Sequence, residues 1–172
     1  DGAGVWSGPI TTTNGSQGTL DVTTMTLAGS PYVFTYTASS ALCAPDTSTV
    51  TITILPLPTA TLSVNPTTSC SGSSVTFTFT GTPNATVTYN INGGANQTIV
   101  LNAGGTATVT GTYTSNTTIT IVSVASAGTP SCVNPQTSSV TLTIQPLPTA
   151  SVAVSPTTLC AGEIGRASWR ER

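Results

Sequence analysis

The sequence has very few charged side chains and contains neither lysine nor histidine. Charged residues make up 5% of the 172 residues, against roughly 25% in an average soluble domain. The three arginines, Arg166, Arg170 and Arg172, all lie in the last seven positions, so residues 1–162 hold three carboxylates, no cationic side chain and a net charge of −3. Nucleic-acid binding depends on lysine and arginine that neutralise phosphates. The composition therefore excludes nucleic acid as a partner.

The missing side chains also limit catalysis and metal binding. Histidine is absent and the carboxylates Asp1, Asp21 and Asp46 are far apart in the sequence, so general acid–base catalysis has no candidate residues. Zinc ligand spacing is missing as well, and no carboxylates cluster as calcium requires. No apolar run reaches the roughly 18 residues of a membrane span. We expect a protein without enzyme activity, metal, cofactor or membrane insertion.

The sequence does contain regular apolar alternation, with 37% hydrophobic residues. Apolar and polar residues alternate with a period of two, which is typical of strands with one buried face. Threonine occupies the outer positions, where its branched side chain suits a pleated surface. The inward residues are Leu62, Val64, Val75, Phe77, Phe79, Val87, Tyr89, Ile91, Ile99, Leu101, Ala107, Val109, Ile119, Ile121, Val140, Leu142 and Ile144. Turn residues between these runs give about seven strands, and no segment shows helical periodicity. The pattern predicts an all-β, immunoglobulin-like antiparallel sandwich, although it does not predict the strand order.

An internal repeat organises the chain. Residues 49–72 and 139–162 are identical at 15 of 24 positions without a gap, at an offset of 90 residues. This period matches one sandwich domain rather than one coil of a β-helix. We therefore expect tandem domains: 57–147 forms a complete domain, 1–56 the C-terminal part of a preceding one, and 148–162 the first strand of a following one.

Adjacent domains are joined by short proline-containing linkers, Pro56-Leu57-Pro58 and Pro146-Leu147-Pro148. Proline fixes its own φ and disfavours helical geometry in the residue before it. The linkers are therefore predicted to be extended and semi-rigid. We also expect Leu57 and Leu147, which are apolar, to pack on the adjacent sandwich.

The segment FTFTGTPNATVTYNINGGANQTIVLNAGGTA within 75–107, the PLPTA linkers on both sides, and GVWSGP followed by YVFTYT near the start carry a family resemblance. Together they resemble the tandem Ig-like repeats of giant cell-surface proteins of Bacteroidota. Such proteins commonly carry a C-terminal signal for the type IX secretion system. The resemblance covers 1–162 and implies an extracellular or cell-surface location, with neighbouring repeats, and other copies in a filament, as partners.

The last ten residues, 163–172, differ from the rest of the chain. They read EIGRASWRER and contain every arginine and one of the two tryptophans. The segment resembles a translated sequencing adapter, so we interpret it as a non-native tail that contributes no core. The alternative is a genuine basic tail that binds a surface.

Each repeat contains an early and a late cysteine. Cys160 is equivalent to Cys70, and Cys43 is roughly equivalent to Cys132, since they precede Val50 and Val140 by 7 and 8 residues. A secreted context favours disulfides. We predict a Cys70–Cys132 disulfide that clamps the ends of the complete domain, and we expect the partners of Cys43 and Cys160 to lie outside this sequence.

Three functions remain open at this point. The first is a stalk or fibre segment built as an extended rod. The second is an adhesin module that binds glycan or a partner surface through loops such as 92–96 and 102–105. Trp6, Tyr32, Phe34 and Tyr36 would suit sugar stacking, but core packing is the favoured interpretation. The third is an accessory domain of a secreted enzyme.

Overall fold

The computed structural model describes residues 4–9, 12–14, 17–155, 157–158, 160–162 and 166–171. The chain divides into two compact units, Asp1–Leu57 and Pro58–Arg172. Within the described residues, the helical pieces are two single 3-10 turns, Val22–Thr24 and Leu27–Gly29. The remaining regular structure is β, which confirms the all-β prediction.

The first unit consists of a three-stranded antiparallel sheet and a small hairpin. Its strands are β1 Gly4–Ser7, β2 Thr12–Asn14, β3 Gln17–Thr19, β4 Tyr32–Ala38 and β5 Asp46–Ile52. The sheet order is β1-β4-β5, and β2 pairs with β3. Alternation places Phe34 on the same face as its register partner Val50, and Phe34 is buried.

The second unit contains the complete repeat. Its strands are β6 Ala60–Val64, β7 Thr68–Cys70, β8 Ser74–Gly81, β9 Thr86–Ile91, β10 Gln97–Val100, β11 Thr106–Thr112, β12 Thr117–Ala125, β13 Val133–Pro135 and β14 Ser139–Gln145. They form two sheets, one ordered β11-β8-β6 and the other β10-β9-β12-β14-β7. Strand β13 also pairs with β12.

The structure has nine strand segments in this repeat where the sequence predicts about seven strands. The difference arises because β6 and β7 are two pieces of one strand, and so are β13 and β14. Strand β6 pairs with β8 in the first sheet, whereas β7, a few residues later, pairs with β14 in the second sheet. Strands β13 and β14 lie in succession along one edge of β12. Counted this way, seven strands form the sandwich, and its pairings are antiparallel except for β7 on β14.

The core lies between the two sheets of this unit. The predicted inward residues are buried or half-buried, and Phe77, Phe79, Ile119, Ile121 and Leu142 are fully buried. Threonine side chains occupy the opposite faces and bond across strands, as between the hydroxyls of Thr118 and Thr141 at 2.8 Å. The buried core cluster runs from Ala60 to Leu142. The repeat therefore buries its core without residues from another unit.

The tail forms a strand. Strand β15 Ala150–Ser155 pairs in antiparallel register with β16 Arg166–Glu171. Residues 163–165 and 172 of the predicted non-native tail lie outside the described residues. The interpretation that 163–172 is non-native and contributes no core stays a prediction.

Candidate functional site at the two ends of the repeat

The chain divides between Leu57 and Pro58, and we call residues 58–147 the repeat. It is anchored at its beginning, which we call the proximal end. Pro58 is fully buried, and its carbonyl oxygen accepts a hydrogen bond from the side-chain amide of Asn134 at 2.9 Å. The backbone N–H of Thr59 donates to the hydroxyl of Thr82 at 3.0 Å, and the N–H of Thr82 donates to the carbonyl of Thr59 at 2.9 Å. The first two residues of the repeat are therefore held directly by strand β13 and by the loop that follows β8.

The repeat is anchored equally at its last strand, which we call the distal end. Gln145 is the register partner of Cys70 on the parallel strand β7, and its carbonyl accepts a hydrogen bond from the N–H of Ser71 at 2.9 Å. The N–H of Ile144 donates to the side-chain oxygen of Asn116 at 2.8 Å. The backbone is thus bonded up to the residue that precedes Pro146.

The linker leucines do not behave as the sequence predicts. Leu57 and Leu147 are each 61% exposed, so neither packs on the sandwich of its own unit, and the prediction is wrong in that respect. Pro58 takes the buried position instead. A residue before proline favours extended backbone, in which successive side chains point to opposite sides, so Leu57 faces away from the buried Pro58. Pro56, Pro146 and Pro148 are also exposed.

The predicted Cys70–Cys132 disulfide is a further correction, because the two cysteines are not bonded to each other. Cys70 pairs with Gln145 at the distal end of the sheet. Gln145 lies three residues beyond Leu142, and Leu142 pairs with Thr117, the first residue of β12. Cys132 bonds to Ser126, just beyond the other end of β12. At about 3.3 Å per residue, the sheet separates them by roughly 35–40 Å. A disulfide requires Cα atoms within about 7 Å. Sequence position suggested proximity because both cysteines flank terminal strands, but they flank opposite ends of the sandwich.

Cys43 has a setting similar to that of Cys132. The N–H of Cys43 donates to the hydroxyl of Ser40 at 3.1 Å, and the N–H of Cys132 donates to the hydroxyl of Ser126 at 2.9 Å. Cys43 lies between β4 and β5, as Cys132 lies between β12 and the strands that follow. Cys43, Cys70 and Cys160 are exposed, and Cys132 is half-buried.

The loops proposed for recognition do not come together. Loop 92–96 follows β9 at the distal end, whereas loop 102–105 precedes β11 at the proximal end. One asparagine in each loop, Asn92 and Asn102, has hydrogen-bond partners within the fold. The side chain of Asn102 bonds to Gly104 N–H at 2.9 Å and to Thr106 N–H at 3.0 Å, and that of Asn92 accepts from Thr118 N–H at 2.7 Å. The side-chain oxygen of Asn102 thus stabilises its own turn, and that of Asn92 bonds its loop to strand β12.

The aromatic residues of the first unit share one face of its sheet. Trp6 is the register partner of Tyr36, and their ring centroids lie 5.1 Å apart. Phe34 is buried and Tyr36 is half-buried. The hydroxyl of Tyr32 donates to the carbonyl of Thr26 at 3.0 Å. Phe34 is therefore part of packing rather than of an open platform.

Two titratable groups, Asp21 and Tyr113, have pKa values shifted from their ordinary ones. The hydroxyl and backbone N–H of Thr23 both donate to Asp21 and lower the pKa of its carboxyl group. Burial raises the pKa of Tyr113, and repulsion from Tyr89 adds to this.

No three His, Cys, Asp or Glu residues in the described part of the chain lie close enough to hold a metal ion. Neither of the short helical turns in that part has the length or apolarity of a membrane span.

The residues that hold the repeat ends include some that the sequence analysis missed. Asn134 follows Val133 in a short strand, and nothing in its neighbourhood signals a partner 76 residues away. Asn116 lies in a loop before β12 and bonds a strand 28 residues later. Only the folded structure brings these pairs together.

Comparisons with known proteins give a distant similarity. No protein-family model matches the sequence, and no curated protein matches it. Among solved structures, this chain is similar to a Ca2+-stabilized adhesin that helps an Antarctic bacterium reach out and bind ice, with a TM-score of 0.42 and 20% sequence identity. The similarity covers 75% of this chain and 35% of the adhesin, so the chain spans about a third of that structure.

Proposed function

We propose that this chain is a structural repeat segment, a stalk or fibre, of an extracellular bacterial surface protein. The observation that carries the proposal is that the first and last residues of the repeat lie at opposite ends of the sandwich. Pro58 begins the unit at the proximal end, and Gln145 ends it at the distal end. A chain that begins and ends each domain at opposite poles extends the assembly by one domain length per repeat.

The linker supports the same role. The backbone is bonded through Gln145, just before a linker, and again at Pro58, the last residue of a linker, so few torsions are left free. The prolines restrict these further. Neighbouring repeats are then the main partners of each domain, and no catalytic activity is required of it.

The binding role is the alternative, and the geometry of the loops gives it less support. The two candidate loops lie at opposite ends, and the side-chain oxygens of Asn92 and Asn102 accept hydrogen bonds from backbone N–H groups within the fold. An accessory domain of a secreted enzyme is the second alternative. Sequence that flanks this chain in the gene distinguishes these roles: many further 90-residue repeats favour the stalk, and a hydrolase domain favours the accessory role.

Small-angle X-ray scattering tests the rod directly. Proteins with two, four and six successive copies of residues 58–147 are compared. A rod gives a maximum dimension that grows linearly, by roughly 35–45 Å per copy. A flexible string grows about as the square root of copy number, and that result would overturn the proposal. The matched control is Pro146→Gly in every copy, since this exposed residue lies in the linker. We expect it to shift the growth towards the flexible case while the domains stay folded.

A further inference from the structure

The two cysteines of the repeat lie at opposite ends of the sandwich, and each of these ends carries one of the linkers. We propose that they form disulfides across repeat boundaries, so that Cys70 of one repeat bonds to the counterpart of Cys132 in the repeat that follows. The proposal depends on the tandem architecture and not on the stalk role, so the two can fail independently.

At the distal end, Cys70 is adjacent to the outgoing linker. It is the register partner of Gln145, and neighbouring strands lie about 4.8 Å apart. The next residue after Gln145 is Pro146, the first of the linker. Cys70 is exposed, so its thiol is accessible.

At the proximal end, Cys132 is close to the incoming linker. It lies two residues before Asn134, whose side chain bonds the carbonyl of Pro58 at 2.9 Å. Its own backbone is held on both sides, because the N–H of Cys132 donates to the hydroxyl of Ser126 and its carbonyl accepts from the N–H of Ser126, both at 2.9 Å. The backbone of Cys132 is therefore fixed, two residues before the strand residue that bonds Pro58.

The linker is short enough to bring the two kinds of cysteine together. Pro148 is the repeat equivalent of Pro58 and lies three residues after Gln145, a span of at most about 11 Å. The cysteines of one repeat are instead held roughly 35–40 Å apart by a continuous sheet. A covalent tether of this length also gives the cross-repeat pair a high effective concentration. The pair within one repeat is too far apart for a disulfide, whereas no sheet holds the cross-repeat pair apart.

The chain repeats the arrangement. Cys160 follows Cys70 by 90 residues. Cys43 has the serine-bonded backbone of Cys132 and lies at the corresponding end of its own strands, where Ala38 pairs with Asp46. Each repeat thus provides one cysteine for each of its two boundaries.

The reaction is thiol–disulfide exchange with a small disulfide such as oxidised glutathione. The Cys70 thiolate attacks one glutathione sulfur and releases the other glutathione as a thiolate. The thiolate of the following repeat's cysteine then attacks the Cys70 sulfur and releases the second glutathione. Two protein thiols are oxidised to one disulfide, one glutathione disulfide is reduced to two thiols, and the protons pass to the released thiolates.

Thiol counting on two successive copies of residues 58–147 tests the proposal, and the self-contained core supports folding of each copy. After equilibration with oxidised glutathione and removal of mixed disulfides by a limiting dithiol, the tandem should hold one disulfide and two thiols. A single copy should keep two thiols. No thiols in the tandem would indicate disulfides within repeats, and four thiols would indicate no pairing; either result overturns the proposal.

The control compares the same substitution made in the first copy alone and in the second copy alone. Cys70→Ser in the first copy alone should abolish the disulfide and leave three thiols. Cys70→Ser in the second copy alone should keep the disulfide and leave one thiol. Both variants change the same exposed residue, so a general effect on folding would alter them equally. Equal thiol counts in the two variants would contradict the proposal.

Discussion

The side-chain amide of Asn134 donates a hydrogen bond to the carbonyl oxygen of Pro58 at 2.9 Å, across 76 residues of sequence. The bond joins the strand that follows β12 to the first residue of the repeat. It is partly buried, so water does not fully replace it when it is lost. Asn134 therefore links the incoming linker to the sandwich.

We expect Asn134→Asp to lower the free energy of unfolding by about 1–3 kcal/mol, because a carboxylate cannot donate and would face a carbonyl oxygen. Urea denaturation of residues 58–147 measures this. The matched control is Asn96→Asp, at an exposed loop position, which should stay within about 0.5 kcal/mol of the parent. Equal losses in the two variants would show that the added charge, and not the bond, is responsible.

Leu142 and Leu147 provide a matched pair five residues apart. Leu142 is 0% exposed and lies in the core cluster, whereas Leu147 is 61% exposed. We expect Leu142→Ala to cost about 2–5 kcal/mol, because it removes buried contacts and leaves a cavity. Leu147→Ala should cost less than about 0.5 kcal/mol in a single repeat. A large loss from Leu147→Ala in chemical denaturation would mean that the linker leucine packs on the domain after all.

Ionisation of Tyr113 should make the repeat less stable at alkaline pH. Its pKa is raised, first by burial and then by repulsion from Tyr89, so the folded state holds the phenolic proton more tightly than the unfolded state does. The stability that the protonated Tyr113 contributes to the folded state is complete below the unfolded pKa of about 10. It is lost as pH rises through the folded pKa.

Tyr113→Phe removes this titration but keeps a ring to pack edge-on against Phe77, whose centroid lies 5.7 Å away. Urea midpoints at several pH values between about 8 and 11.5 give the comparison. The parent should lose stability more steeply than the variant above the unfolded pKa. Parallel pH profiles would show that Tyr113 does not contribute.

The alternating residues of each strand determined which side chains enter the core. Phe77, Phe79 and Ile121 are fully buried as their period predicts, because a pleated strand directs successive side chains to opposite faces. The 90-residue repeat likewise follows from the sequence alone. These features depend on local chemistry, so they can be read without knowledge of the fold.

Only the tertiary structure decided which strands are neighbours and which ends of the sandwich the termini occupy. The switch of β6 and β7 between sheets depends on pairing with strands that are distant in sequence. It places Cys70 beside Gln145, whereas Cys132 lies at the far end of β12. Alternation sets the face of a residue but not its neighbour along the sheet. The separation of the two cysteines, and the burial of Pro58 in place of Leu57, are therefore consequences of long-range packing.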